Sequence, residues 1–286
     1  LVLHGGGNTS VKSKTRDVDG ILHNIIYVKG SGSDLATIKA ADFPAVKLEP
    51  LIDILKKKKL SDEQMVNFLR KNLIDIKSSN PSVETLVHAL INEKFVDHTH
   101  ATPILEITNR KDGMALCKKI FADEVLIIPY VMPGFILAKK VSEIYKCNPK
   151  LKGLILYRHG IFTFGETGEE SYNRMISLVS KAERFLRSES LRKLKSIPIS
   201  KRHIKPETIS PIIRGLVSTK YSYIVNFRTG KDILEVINSQ NAKKILSKGV
   251  VTPDHVLRIK PKILVVNIDN CKNQDHIRRK LSISIK

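Results

Sequence analysis

Residues 81–109 read PSVETLVHALINEKFVDHTHATPILEITN, and within that stretch the hydrophobic period changes from helical to extended. Pro81 and Ser82 make a helix start signal, Glu84 falls in the first turn, and Leu86, Val87, Leu90 and Ile91 follow at helical spacing. The pattern predicts a buried helix with Glu84 near its N-terminus, where a carboxylate also suits unpaired amides. The next residues, KFVDHTHATPIL from Lys94, read as a strand. Residues two apart on a strand share a face, so His98 and His100 are expected to project together. Asp97, just before them, is a candidate to orient one of the rings, or simply a surface aspartate.

Two imidazoles side by side make half of a metal site. A third candidate, His159, follows the apolar run GLILY and directly precedes Gly160, at a strand end where a neighbouring strand can converge. Three neutral histidines with one open position match the ligand set of a catalytic zinc ion. His4, His23, His88, His203, His255 and His276 show no comparable pairing, and His88, on an apolar helical face, reads as a packed core residue.

Two glycine clusters flank this centre in sequence. LHGGGNTSV, from Leu3, allows backbone to approach a ligand closely. In YVKGSGSDLATI, from Tyr27, a strand runs into Gly30, Ser31 and Gly32 and then into an expected helix start, whose free amides suit phosphate. Neither spacing is a Walker loop or a dinucleotide fingerprint, and ordinary tight turns are the alternative. Further along, residues 48–77 read as helical, and DEVLIIPYVMPG and LKGLILYRHGIFTFG supply short apolar runs. A long helix is expected from about Glu169 to Arg192.

The character changes after Lys195. SIPISKRHIKPETISPII holds three prolines and reads as a linker, followed by strand-like YSYIVNF, helical KDILEVINS and apolar KILVVNI. The expected division is therefore residues 1–195 and a smaller α/β extension, 196–286, leading toward a further domain.

Composition narrows the function classes. The 286 residues, 42% hydrophobic and 27% charged, suffice for a large core without disulfides. Three separated cysteines, Cys117, Cys147 and Cys271, with no CxxC pair, fit a reducing, cytoplasmic compartment. No apolar run is long enough to span a bilayer, so no membrane partner is expected. The net charge of +21 comes mostly from scattered lysines with no recognition motif, which points to a solvated basic surface that tolerates an anionic substrate; no specific nucleic-acid partner is expected.

In chain order the sequence offers GGGNTSV, KGSGSD, SVET, DHTHA and RHGIFTFG, a succession that resembles the class II aldolase and adducin head family. PSVETLVHAL, FVDHTHATPILEITN, PYVMPGF and RHGIFTFGETGEESYNRMI are similar to one subgroup. Its members are bifunctional proteins in which a rhamnulose-1-phosphate aldolase-type domain precedes a short-chain dehydrogenase. The resemblance implies a three-layer α/β/α fold with a mainly antiparallel central sheet, assembled as a tetramer. It implies that His98, His100 and His159 bind Zn²⁺ or another divalent ion, with Glu84 as acid/base. Gly7, Asn8, Thr9, Gly30, Ser31, Gly32 and Ser82 would hold the substrate phosphate. The implied reaction cleaves a ketose 1-phosphate to dihydroxyacetone phosphate and an aldehyde, with Glu84 expected at a raised pKa in a partly dry cleft. Relatives that epimerise or dehydrate sugar phosphates, and non-catalytic adducin-like binding modules, are the alternatives. A proton-donating tyrosine of the family has no matching position, and no GxGxxG occurs, so no nicotinamide cofactor is expected in this chain.

Overall fold

The computed structural model describes residues 1–145, 151–189, 205–268 and 270–285. The chain divides into two units: Leu1–Ser190 with Val251–Ile259, and Leu191–Val250 with Lys260–Lys286.

The first unit is built on seven strands: β1 (Asn8–Arg16), β2 (Leu22–Val28), β3 (Ala45–Lys47), β4 (Phe95–Thr99), β5 (Val125–Ile128), β6 (Gly153–Leu156) and β7 (Gly160–Gly165). They lie in the order β3-β2-β1-β4-β7-β6-β5. Every pairing is antiparallel except β5 with β6. A parallel pair needs a crossover, and the helix Phe135–Tyr145 lies between those two strands in sequence.

Both sheet faces are covered. In β6, Leu154 and Leu156 enter one core cluster and Ile155 the other, as strand alternation requires. The first cluster takes Leu51, Met65, Leu69, Leu86 and Phe135 from helices Leu48–Asp53, Asp62–Lys71, Thr85–Leu90 and Phe135–Tyr145. The second takes Ile104, Phe121, Met175 and Leu178 from Thr102–Thr108, Gly113–Phe121 and Gly168–Ser188. Each such fully buried side chain contributes about 1.5–3 kcal/mol. The outcome is the three-layer arrangement around a mostly antiparallel sheet. Thr167 caps the long helix by accepting from the Glu170 amide at 3.1 Å, so it starts where expected; residues 190–192 lie outside the described residues.

Three local expectations are corrected. No helix starts at Asp34; residues 34–37 form a turn, Asp34 accepts a hydrogen bond from the Ala36 amide, and only a single 3-10 turn follows, at Ala40–Asp42. The proline-bearing segment is helical over Pro206–Val217, because Pro206 sits in the first turn, where a missing N–H costs nothing. Residues 196–204 of that segment lie outside the described residues. The second unit has no strand among its described residues: Pro206–Val217, Lys231–Ile237, Ala242–Leu246 and Gln274–Ile285 are helices. YSYIVNF and KILVVNI form no strand, and Ile224 and Leu264 are exposed. Apolar content favoured a strand there, but a strand exists only where a neighbour supplies hydrogen bonds.

Candidate metal centre

The register of the sheet assembles the centre. Asn8 pairs with His98, and His98 with Phe162, so β1, β4 and β7 meet at one point. His98 is completely buried and stacks on Phe162 at 4.1 Å between ring centroids. His100 lies one residue past the end of β4. His159 sits in the tight connection from β6 to β7, where Leu156 pairs with Gly160 and Arg158 takes a left-handed φ of 61° to turn the chain. All three histidines are buried, and their candidate ligand nitrogens lie within 4.8 Å of one another.

Second partners fix which nitrogen faces inward. His98 Nδ1–H donates to the Ile161 carbonyl at 3.0 Å, and His100 Nδ1–H donates to Asp254 Oδ1 at 3.1 Å. With both rings in the neutral form a metal ligand must take, both Nε2 atoms carry lone pairs, and they face each other at 3.1 Å. Two lone pairs at that distance repel, and a shared cation reverses the sign. Tetrahedral zinc with nitrogen bonds of about 2.0–2.1 Å separates its ligand nitrogens by about 3.3 Å, so the spacing fits. His159 Nε2 lies 2.9 Å from Glu84 Oε1, which nonetheless makes no hydrogen bond although buried. Buried polar atoms normally have partners, so this unsatisfied oxygen beside three imidazoles also fits a cation. Burial, opposed by Glu84 and reinforced by the neighbouring imidazoles, pushes His98 well below its ordinary pKa and keeps it neutral, as a ligand must be.

Glu84 stands at the N-terminus of Thr85–Leu90 but makes no side-chain cap. Its carboxylate instead turns to the histidines, with Oε2 3.4 Å from His98 Nε2, and accepts from Asn8 Nδ2 at 2.7 Å. Burial alone would raise its pKa; His98, His159 and the Asn8 amide outweigh that and hold it well below the usual carboxylate range. The hydrogen bond from Asn8 thus opposes the burial on which the expectation of a raised pKa rested.

His88 is more than a packed residue. Ser10 Oγ–H donates to His88 Nδ1 at 2.8 Å, and His88 Nε2–H donates to Asn8 Oδ1. That leaves the Asn8 amino group for Ser82 Oγ, at 3.0 Å, and Glu84. Burial drives His88 down to about 3, so it stays neutral and acts as a fixed relay of hydrogen-bond direction. The spacing of four residues from Glu84 on one helix was the available signal.

The expected phosphate residues fall into distinct settings. Asn8 and Ser82 belong to the buried network around Glu84. The Thr9 hydroxyl donates to Asp97 Oδ1 at 2.6 Å, and Ser171 Oγ donates to Asp97 Oδ2 at 2.6 Å. Asp97 therefore orients no histidine: strand alternation puts it and Thr9 on the opposite sheet face. The Gly30 and Ser31 amides donate to Asp42 and Asn80 carbonyls at 2.8 and 2.7 Å, so they are committed internally. Ser31 and Gly32 are exposed, and Gly7 is buried.

Two contributors were missed. Lys29, only 2% exposed, donates through Nζ to the carbonyls of Gly5 at 3.0 Å, Gly30 at 3.4 Å and Ser33 at 2.7 Å, tying the two glycine loops together. Burial lowers its pKa, partly offset by Asp34 and Glu84. A lone lysine ending the apolar run IIYVK was the sequence signal. Asp254, 3% exposed, had none, since it lies 154 residues from His100.

Comparison with known proteins agrees with this architecture. Residues 1–186 match the class II aldolase and adducin N-terminal domain, and residues 205–286 match the second domain of class II aldolases. The N-terminal class II aldolase domain of a conserved Thermoplasma acidophilum protein shares 42% identity at a TM-score of 0.61, covering 65% of this chain and 86% of that one. A Thermotoga maritima sugar-phosphate aldolase, 17% identical at a TM-score of 0.50 over 67% of this chain and 89% of its own, shares the fold. The Bacillus subtilis uncharacterized oxidoreductase YuxG is 36% identical over 263 residues, 90% of this chain but 38% of its own length. The matched chain thus spans well under half of that relative. With a family model covering most of its length, the chain belongs to the class II aldolase and adducin N-terminal domain family.

Proposed function

We propose that this chain is a divalent-cation-dependent aldolase that cleaves a ketose 1-phosphate, of the rhamnulose 1-phosphate type, to dihydroxyacetone phosphate and an aldehyde. One observation carries the reading: the imidazoles of His98, His100 and His159 converge beside an anionic, buried Glu84 with one oxygen left without a hydrogen bond. Histidines 98, 100 and 159 would hold the ion, with Zn²⁺ suited to an all-nitrogen set. Such an ion supplies Lewis acidity, stabilising the negative charge that develops on the ketone side when the carbon–carbon bond breaks.

The chain's own residues do the rest. Glu84 Oε1 accepts the proton of the hydroxyl next to the breaking bond and returns it to the carbon left negative, starting from the carboxylate form that its lowered pKa maintains. Asn8, fixed by His88, holds the other carboxylate oxygen and so aims Oε1. The substrate phosphate is bound at the exposed second glycine loop, through the Ser31 hydroxyl and the positive potential of Lys29 and of Arg258, whose guanidinium lies beside Gly5, with Ser82 at the inner edge. No helix among the described residues is long and apolar enough to cross a membrane. With Cys117 and Cys271 free, we place the protein in the cytoplasm, as a homo-oligomer.

The test couples metal analysis to an assay for dihydroxyacetone phosphate release from a panel of ketose 1-phosphates. His98→Ala should lose both metal and activity, whereas Glu84→Gln should keep metal and lose turnover by about 100-fold or more. Normal cleavage by both variants sinks the assignment, and appearance of an isomeric sugar phosphate in place of dihydroxyacetone phosphate points to epimerisation instead.

A further inference from the structure

The chain leaves the first unit after Ser190 and returns to it for nine residues, Val251–Ile259. This returning segment is anchored by its own chemistry. Thr252 caps the short helix Pro253–Arg258 by accepting from the His255 amide, and the Asn109 side chain donates to the Val251 carbonyl at 3.1 Å. The helix thereby carries Asp254 into the floor of the centre, 3% exposed, with Oδ1 on His100 Nδ1 and Oδ2 buried without a partner.

We propose that Asp254 is a positioning residue of the metal centre, acting through His100, and that Gly6 is kept free of a side chain to seat it. The inference rests on the three-histidine reading of the site. His98 receives the same service from a backbone carbonyl that its own sheet supplies, at Ile161. His100, one residue beyond β4, has left the ladder, and the returning segment provides its acceptor instead. A carboxylate acceptor fixes the tautomer, holds Nε2 toward the ion and raises its basicity.

The seat is shaped for this one group. A Cβ built on Gly6 would stand 1.3 Å from Asp254 Oδ1 and 2.5 Å from its Cγ. The Asp254 side chain would have to swing out of its seat to relieve such an overlap, so any side chain at position 6 expels the carboxylate. The first glycine cluster, expected to cradle a ligand, is thus in contact with a carboxylate from the far end of the chain.

The experiment measures Zn²⁺ affinity of the whole chain by competition with a chromophoric chelator, alongside thermal unfolding in excess EDTA. Asp254→Ala should weaken Zn²⁺ binding about 10–100-fold. Asp254→Asn, whose amide oxygen still accepts from His100, should recover most of that loss. Gly6→Ala should weaken binding comparably, and the Gly6→Ala/Asp254→Ala double variant should bind no worse than either single one, since the two changes remove the same interaction. Unchanged Zn²⁺ affinity in Asp254→Ala, with or without lower metal-free stability, overturns the proposal and leaves Asp254 a structural strut. Additive losses in the double variant overturn it as well. His98→Ala run in parallel separates the two levels: its loss of Zn²⁺ upholds the three-histidine site whatever Asp254 does, and its wild-type binding removes both.

Discussion

The two glycine loops, residues 5–7 and 30–32, look alike in sequence and are pinned by the same Lys29 ammonium, yet they serve opposite ends. In the first loop Gly6 and Gly7 are buried and hemmed in, by Asp254 at one position and by the His98 carbonyl at the other. In the second, Ser31 and Gly32 face outward, and no atom lies within 4 Å of where a Gly32 side chain would begin. Clustered glycines announce that something comes close. They do not say whether it is the protein's own chain or something from solution.

The largest effect should come from Gly7→Ala. Its φ is +64°, and an added Cβ would lie 2.6 Å from the His98 carbonyl oxygen, a backbone atom that cannot step aside. Strain and overpacking together should cost about 2–5 kcal/mol, read from urea unfolding, and should weaken Zn²⁺ binding because His98 moves with its carbonyl. A Gly7→Ala protein of wild-type stability would mean the first loop is as open as the second.

Next in size is a pH effect at the network that the first loop feeds. His88 takes up its proton in the unfolded chain near 6.5 but in the folded protein only at about 3. Between those values the unfolded state binds the extra proton, so stability falls as pH drops through that window, by up to about 1.4 kcal/mol per pH unit, and is unaffected by this group above it. Unfolding free energies at pH 7.5, 6 and 5 should therefore decline less steeply in His88→Gln than in the parent, from a lower starting value. Parallel pH profiles would show that His88 is not the neutral relay described.

The smallest effect is expected from Gly32→Ala. Only its φ of +86° opposes a side chain, so the loss should be about 1–2 kcal/mol, with Zn²⁺ affinity unchanged. Weakened Zn²⁺ binding in this variant would erase the distinction between the loops.

Much of this was readable where chemistry and period coincide locally. His98 and His100 fall two apart on a strand, and Glu84 opens the helix just before it, so their convergence needed only strand alternation and a short connection. His159 was visible as a polar residue ending an apolar run. The same alternation places Thr9 and Asp97 on the far face, which the phosphate and orienting expectations had overlooked. Asp254 was out of reach, because TPDH is an ordinary helix start whose importance comes from a partner in the opposite half of the chain. YSYIVNF misled for the converse reason: its residues favour extension, but among the described residues no neighbouring strand pairs with it.

The Asp254–His100 contact bridges 154 residues, and this has a consequence for biosynthesis. When the ribosome has released everything up to β7, all three imidazoles are in hand, yet the anion that steadies the second of them has not been translated. If Asp254 positions His100 as proposed, ion capture at full strength would wait until Val251–Ile259 emerges, and a truncated nascent chain would be a poorer competitor for scarce metal than a finished one.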